Sequence, residues 1–176
     1  MAFFDISETK IPPHLKRQVY LSTASPLINY GIELYGSATS TFISKLQRKQ
    51  NQLLKVLYNK DWHYETNKLH KECKLLKVNH LYELRLLSFV RKCLNKETIP
   101  LFHDYFSYQR DVHRYDTRND LNLVVVRSRT STGNARIMSC GSKLWNSNDA
   151  AKNNLSFTID TFKHKLKDFY IDTYND

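Results

Sequence analysis

Between Thr39 and Leu57 the chain places Ile43, Leu46, Gln50, Leu53, Leu54 and Leu57 at helical spacing. At about 100° per residue these side chains gather on one side of a helix. Lys45, Arg48, Gln52 and Lys55 fall nearly opposite, with Lys49 on the flank. The stretch is therefore committed to an amphipathic helix with a basic outer face, and Thr39, Ser40 and Thr41 are available to cap it. A chain of 176 residues with only four Gly and four Pro has few places to turn, which favours long helices over a many-stranded barrel.

The remaining pattern extends that reading. Residues 14–35 are apolar and mildly helical, with Pro13 suited to a first helical position and Pro26 expected to kink or split the helix. Gly36 is a natural end. A short helix is expected over 67–76 and a longer one over 79–95, where Leu84, Leu87, Val90 and Leu94 form the inward stripe. Arg85 and Lys92 point the other way, and a brief turn of helix is expected over 101–106. Val124, Val125 and Val126, the Ser131-Thr132-Gly133-Asn134 turn signal and residues 135–140 read as a β-hairpin. Ile159, Phe162, Leu166, Phe169 and Tyr170 close the chain as a helix capped by Ser156 or Thr158. The expected fold is mainly α with a small β-hairpin (α+β), organised as a tail (1–13), a helical region (14–106) and an accessory region (107–176).

Charge sharpens the functional reading. The net +10 is concentrated in residues 37–97, where thirteen Lys and Arg face five Asp and Glu. A basic block on helices, beside a nearly neutral remainder, is the footprint of a polyanion binder. The candidate contacts are Lys45, Arg48, Lys49 and Lys55, joined by Arg114, Arg118, Arg127 and Arg129 near Tyr108 and Tyr115. That second group suits backbone contacts beside base stacking.

Catalytic chemistry finds little support in the residues. Two-metal polymerase chemistry needs clustered carboxylates, yet the chain has no Asp-Asp pair, and Asp116 and Asp120 alternate with Arg114 and Arg118. Residues 121–140 contain no Asp or Glu, so a nuclease built on that hairpin fails on residue type. His70, Cys73, His80 and Cys93 lack the two close pairs of a structural zinc site. No glycine-rich phosphate loop exists. The expectation is no enzyme activity, no cofactor and no metal. Three widely spaced cysteines fit a reducing compartment. No signal peptide and no run of eighteen apolar residues is seen, so a soluble intracellular protein of nucleus or cytoplasm, without membrane contact, is expected.

Five segments, read in order, resemble the region that follows the polymerase core in non-LTR (LINE-like, jockey-type) retrotransposon reverse transcriptases. Pro26-Leu-Ile-Asn-Tyr-Gly-Ile-Glu-Leu-Tyr-Gly36 is similar to a Pro-x-Leu-x-Tyr-Gly-x-x-x-Trp-Gly unit, with Tyr35 in the Trp place. Leu46-Gln-Arg-Lys-Gln-Asn-Gln-Leu-Leu-Lys-Val-Leu57 resembles a Leu-Gln-x-x-Gln-Asn-x-x-Leu-Arg helix. Leu69 to Val78 resembles Leu-x-x-x-aliphatic-x-Leu-Leu-x-Val, with Cys73 at the aliphatic place. His113-Arg-Tyr-Asp-Thr-Arg118 is similar to His-x-Tyr-x-Thr-Arg, and Gly141-Ser-Lys-Leu-Trp-Asn146 to Gly-x-x-Leu-Trp-Asn. A Phe-Lys-x-x-Leu-Lys helix at 162–167 follows. The resemblance implies a thumb over 14–106 that grips a template–primer duplex, and a nucleic-acid-contacting extension over 107–176. It also implies a polymerase palm upstream as a partner, so the chain would act as a non-catalytic, RNA- or RNA–DNA-binding portion. The alternative is a helical protein-interaction or structural module whose basic face confers solubility alone.

Overall fold

Pro13 stands at the first position of helix α1 (Pro13–Asn29), where its missing N–H has no intrahelical partner to lose. The computed structural model describes residues 11–112 and 121–174. Helix α1 runs through Pro26, and the break falls at Gly31, whose φ of 65° is a left-handed conformation that glycine adopts without a Cβ penalty. The expected split therefore occurs five residues beyond Pro26. A short helix, α2 (Ile32–Tyr35), follows and buries Ile32 completely.

Helix α3 (Ser40–Leu57) is the amphipathic element read from the sequence, and it buries Ile43, Gln50, Leu54 and Leu57. Leu53, expected on the inner side, is 43% exposed. The helix stops at Asn59 (φ 50°), with Lys60 N–H donating to Lys55 O (2.8 Å) and Asn59 N–H to Val56 O (3.2 Å). That pair of bonds is a Schellman closure with Asn in the glycine place. Helices α4 (Thr66–Cys73) and α5 (Val78–Leu94) follow close to the expected bounds. Helix α5 ends in the same way, at Lys96 (φ 57°), with Glu97 N–H on Lys92 O at 2.8 Å.

The expected β-hairpin is absent from the described residues. Residues 137–147, read in part as a return strand, form helix α8 (Ile137–Ser147), and the turn signal is a single helical turn, α7 (Ser131–Asn134). The Thr130 side chain caps that turn by accepting from Gly133 N–H. The valine-rich stretch forms no strand, and among the described residues its start makes one isolated bridge, Leu123 opposite Tyr108, just ahead of α6 (Gln109–Val112). On its other side a side chain stands in for the missing strand. Leu123 N–H donates to Asn146 Oδ1 (2.7 Å), and Asn146 Nδ2 donates back to Leu123 O (2.9 Å). With both backbone groups of buried Leu123 satisfied, no second strand is needed.

Helix α9 (Asp149–Asn153) and α10 (Ile159–Asp172) complete the chain, α10 capped by Thr158 as expected. Phe162, Leu166 and Tyr170 of its stripe are buried, whereas Phe169 turns outward at 45% exposure. Helix α5 joins two apolar cores. One gathers Tyr20, Ile32, Leu54, Leu69 and Val78 from α1 to α5; the other gathers Leu87, Val90, Trp145, Phe162 and Leu166. At Gly141 the α8 backbone comes so close to α5 that a Cβ would lie 3.0 Å from Val90. The protein is mainly helical, and no described helix is long and apolar enough to cross a membrane.

Candidate nucleic-acid interface

Helix α3 presents two different polar faces. Its inner face carries Gln47 and Gln50, with half-buried Asn51 at the edge between the two faces. Gln50 is 2% exposed and donates through Nε2 to Tyr20 Oη (2.8 Å) and Leu76 O (2.9 Å), while Gln47 Nε2 donates to Gln50 Oε1 (2.8 Å). Gln47 Oε1 accepts from Val78 N–H (2.7 Å), and Asn51 Oδ1 accepts from Gln47 Nε2 (2.8 Å). His70 extends the network, with Nε2 2.9 Å from Asn51 Oδ1 and Nδ1 3.0 Å from Leu75 O. Burial drives the His70 imidazole down to about 4, outweighing the Leu75 carbonyl, which favours the proton. The three carboxamides thus fix the orientation of α3 against α1, α4 and the turn before α5.

The outer face is the candidate site. Over its 18 residues α3 has four cations, Lys45, Arg48, Lys49 and Lys55, and no acid. Lys45, Arg48 and Lys49 are exposed and Lys55 is half-buried; none enters an ion pair among the described residues. Uncompensated cations in a row, on a helix whose other side is locked, make a fixed field for a polyanion. Two hollows run along them. One, of about 450 Å³, is lined by Phe42, Lys45, Leu46, Arg48, Lys49 and Gln52. The second, of about 210 Å³, is lined by Arg48, Asn51, Gln52, Lys55, Trp62 and Thr66. Arg48 and Gln52 belong to both, so the hollows form one trough.

Trp62 closes the trough at its far end and is 65% exposed. Its loop is firmly held. Asp61 Oδ1 accepts from His63 N–H (2.8 Å), Lys60 pairs with Glu72 (2.9 Å), and Tyr64 Oη donates to Glu72 Oε1. The Tyr64 hydroxyl, followed by Lys60, keeps the Glu72 carboxyl below its usual range. Lys55 Nζ donates to Trp62 O and lies 5.9 Å from the indole centroid.

Of the sequence-derived candidates, the structure brings Lys45, Arg48, Lys49 and Lys55 together on α3. Arg127 and Arg129 are exposed on the segment leading to α7, in the layer anchored by Asn146 of α8. Arg114, Arg118 and Tyr115 lie outside the described residues. Tyr108 is half-buried, with Arg110 over its ring at 4.6 Å. Gln52 stands on the outer face as its spacing predicts, whereas Phe42, Asn51, Trp62 and Thr66 line the trough without being expected from the sequence. Trp62 carried one legible signal, a large aromatic placed in a polar loop seven residues after Lys55. The residues weighed as zinc ligands are occupied elsewhere: His70 sits in the network, His80 stacks on Tyr170 at 4.6 Å, and Cys93 lies in a core.

The chain matches no family model, no curated protein and no solved structure.

Proposed function

We propose that this chain binds nucleic acid through the outer face of α3, as the thumb-like and post-thumb portion of a reverse-transcriptase-like protein of the non-LTR retrotransposon type. The observation that carries the binding reading is the acid-free row Lys45, Arg48, Lys49 and Lys55, with no ion pair among the described residues and bordering a trough. Such a row neutralises phosphates and releases counterions, giving affinity with little sequence preference. The reading assigns the chain a gripping role on RNA or an RNA–DNA hybrid and no bond-making step of its own. The retrotransposon assignment rests on the five sequence segments. Two of them supply the structural carboxamides, Gln47, Gln50 and Asn51 in one and Asn146 in the other, so these polar motif positions have a physical job in this fold.

Charge reversal tests the reading. The combined substitution Lys45→Glu, Arg48→Glu and Lys55→Glu is expected to weaken binding to unrelated sequences by the same factor in a filter-binding assay. Unchanged affinity would remove α3 from the interface.

A second reading has its own observation. Leu27, Tyr30 and Leu34 are 79%, 87% and 77% exposed around α2, and Leu53 and Val56 of α3 are exposed as well. Leu27, Tyr30 and Leu34 suit a protein surface, a polymerase palm or a second copy of the chain, docking around α2. Analytical ultracentrifugation separates the two: self-association lost in Leu27→Ser and Leu34→Ser, with no affinity for nucleic acid, would favour the protein-interaction module.

A further inference from the structure

We propose that the trough on α3 is a site for single-stranded nucleic acid, with the Trp62 indole as a stacking platform for one base. This deepens the nucleic-acid reading and rests on it. A double helix offers phosphates outside and stacks its own bases inside, so a duplex-gripping face requires cations and gains nothing from exposed aromatic rings. A single strand has unstacked bases, and proteins that bind it interleave cations with aromatic surfaces.

The trough has that second composition. Phe42 and Trp62, 54% and 65% exposed, stand at its two ends, and Lys45, Arg48, Lys49 and Lys55 lie between. From Phe42 to Lys55 the helix rises about 20 Å, at roughly 1.5 Å per residue, which is the reach of a few nucleotides. Asn51, Gln52 and Thr66 line the Trp62 end and present carboxamide and hydroxyl groups where base edges would lie. Asn51 already accepts from Gln47, which leaves its Nδ2 as the group to offer.

Rigidity supports the assignment. The loop that carries Trp62 is fixed by the Schellman closure at Asn59, the Asp61 turn, the Lys60–Glu72 pair and the Lys55 bond to its carbonyl. A ring presented on an ordered loop loses little freedom when a base stacks on it. Left unused, that same ring is apolar surface facing water.

The chain has two tryptophans, which makes the test direct. Trp145 is fully buried with its indole N–H on Leu121 O (3.1 Å), so only Trp62 can report a ligand at the surface. The full chain is titrated at low salt with oligouridylate, oligothymidylate and a duplex of the same length, following tryptophan emission. Both single strands are expected to bind more tightly than the duplex and to quench emission; the lower titration midpoint of the two identifies RNA or DNA as the better ligand. Trp62→Leu should remove the quenching and weaken single-strand binding about tenfold, within the range for losing one base stack. Trp62→Phe should keep most of the affinity, and Trp62→Leu should narrow the preference for single strands over the duplex. Equal or tighter duplex binding, or single-strand binding without quenching, would overturn this inference and leave the basic face as a phosphate binder. No binding to any of the three would overturn the nucleic-acid reading and this inference together.

Discussion

Helices α3 and α8 solve the same problem with the same kind of side chain, yet only α3 carries a row of exposed cations on its outer face. Each lies against a segment of irregular backbone and satisfies it with carboxamides. Gln47 and Gln50 of α3 bond Val78 N–H and Leu76 O, and Asn146 of α8 bonds both backbone groups of Leu123. Helix α8 buries Ser139, Gly141, Ser142 and Trp145 and is packed into the core. Helix α3 buries one side and leaves four cations outside. The inner polar groups of both helices are thus structural, and the face of α3 that packing leaves alone is the one open to a ligand.

The largest effect expected from breaking this comparison lies in α8. Trp145 is fully buried, so Trp145→Ala should cost about 3–5 kcal/mol in urea unfolding through lost burial and the cavity left behind. An equal-sized deletion on the outer face of α3 should cost far less.

Acid sharpens the contrast next, because the α3 network contains a buried imidazole. An unfolded histidine takes up its proton near 6.5, whereas His70 in the fold does so at about 4. Between those values the unfolded chain binds the extra proton and the folded chain does not. The His70 contribution is therefore complete above pH 6.5, declines as pH falls, and is fully lost below about 4. At about 1.4 kcal/mol per pH unit it amounts to roughly 3 kcal/mol. Urea midpoints at pH 7 and pH 4.5 should differ markedly in the native chain and by clearly less in His70→Gln. Burial lowers His80 as well, so a residual slope should persist.

Asn146→Leu should follow, at about 1–3 kcal/mol, because it leaves the buried backbone groups of Leu123 unpaired. Hydrogen exchange should then accelerate at Leu123 before it does in α3. Smallest of all, Lys45→Gln and Arg48→Gln should move stability by no more than about 0.5 kcal/mol, since both are exposed and outside any described ion pair. A large loss in those variants would mean that the outer face is structural too.

The same two helices show what the sequence could convey. Helix α3 was legible because leucines and cations segregate at a helical period across its length, and the four site cations followed from that wheel. Even so, Gln50 read as a member of the apolar stripe, since the period reports which side is buried and not which hydrogen bonds are made there. The first half of helix α8 reads as a strand because its buried positions there, Ser139, Gly141 and Ser142, are small and carry no hydrophobic signal ahead of Trp145, while Ser131 to Asn134 imitate a hairpin turn. The Leu123 clamp was beyond reach, because residues 123 and 146 are brought together by tertiary packing alone. Trp62 went unnoticed for a related reason. A loop side chain has no periodicity, and its neighbours Arg48, Gln52 and Thr66 meet it only once α3 and α4 are docked.

The measurement that tests the central claim most directly is the salt dependence of the affinity of this chain for a short oligonucleotide. Four α3 cations, each replacing a phosphate counterion, give a slope of log K against log salt near −2.8 for a single strand, at about 0.7 per contact. The account predicts roughly a fifty-fold loss of affinity between about 50 and 200 mM salt, with the slope cut to about −0.7 when Lys45, Arg48 and Lys55 are replaced by Gln. A flat response, or a slope that the three substitutions leave unchanged, would contradict it.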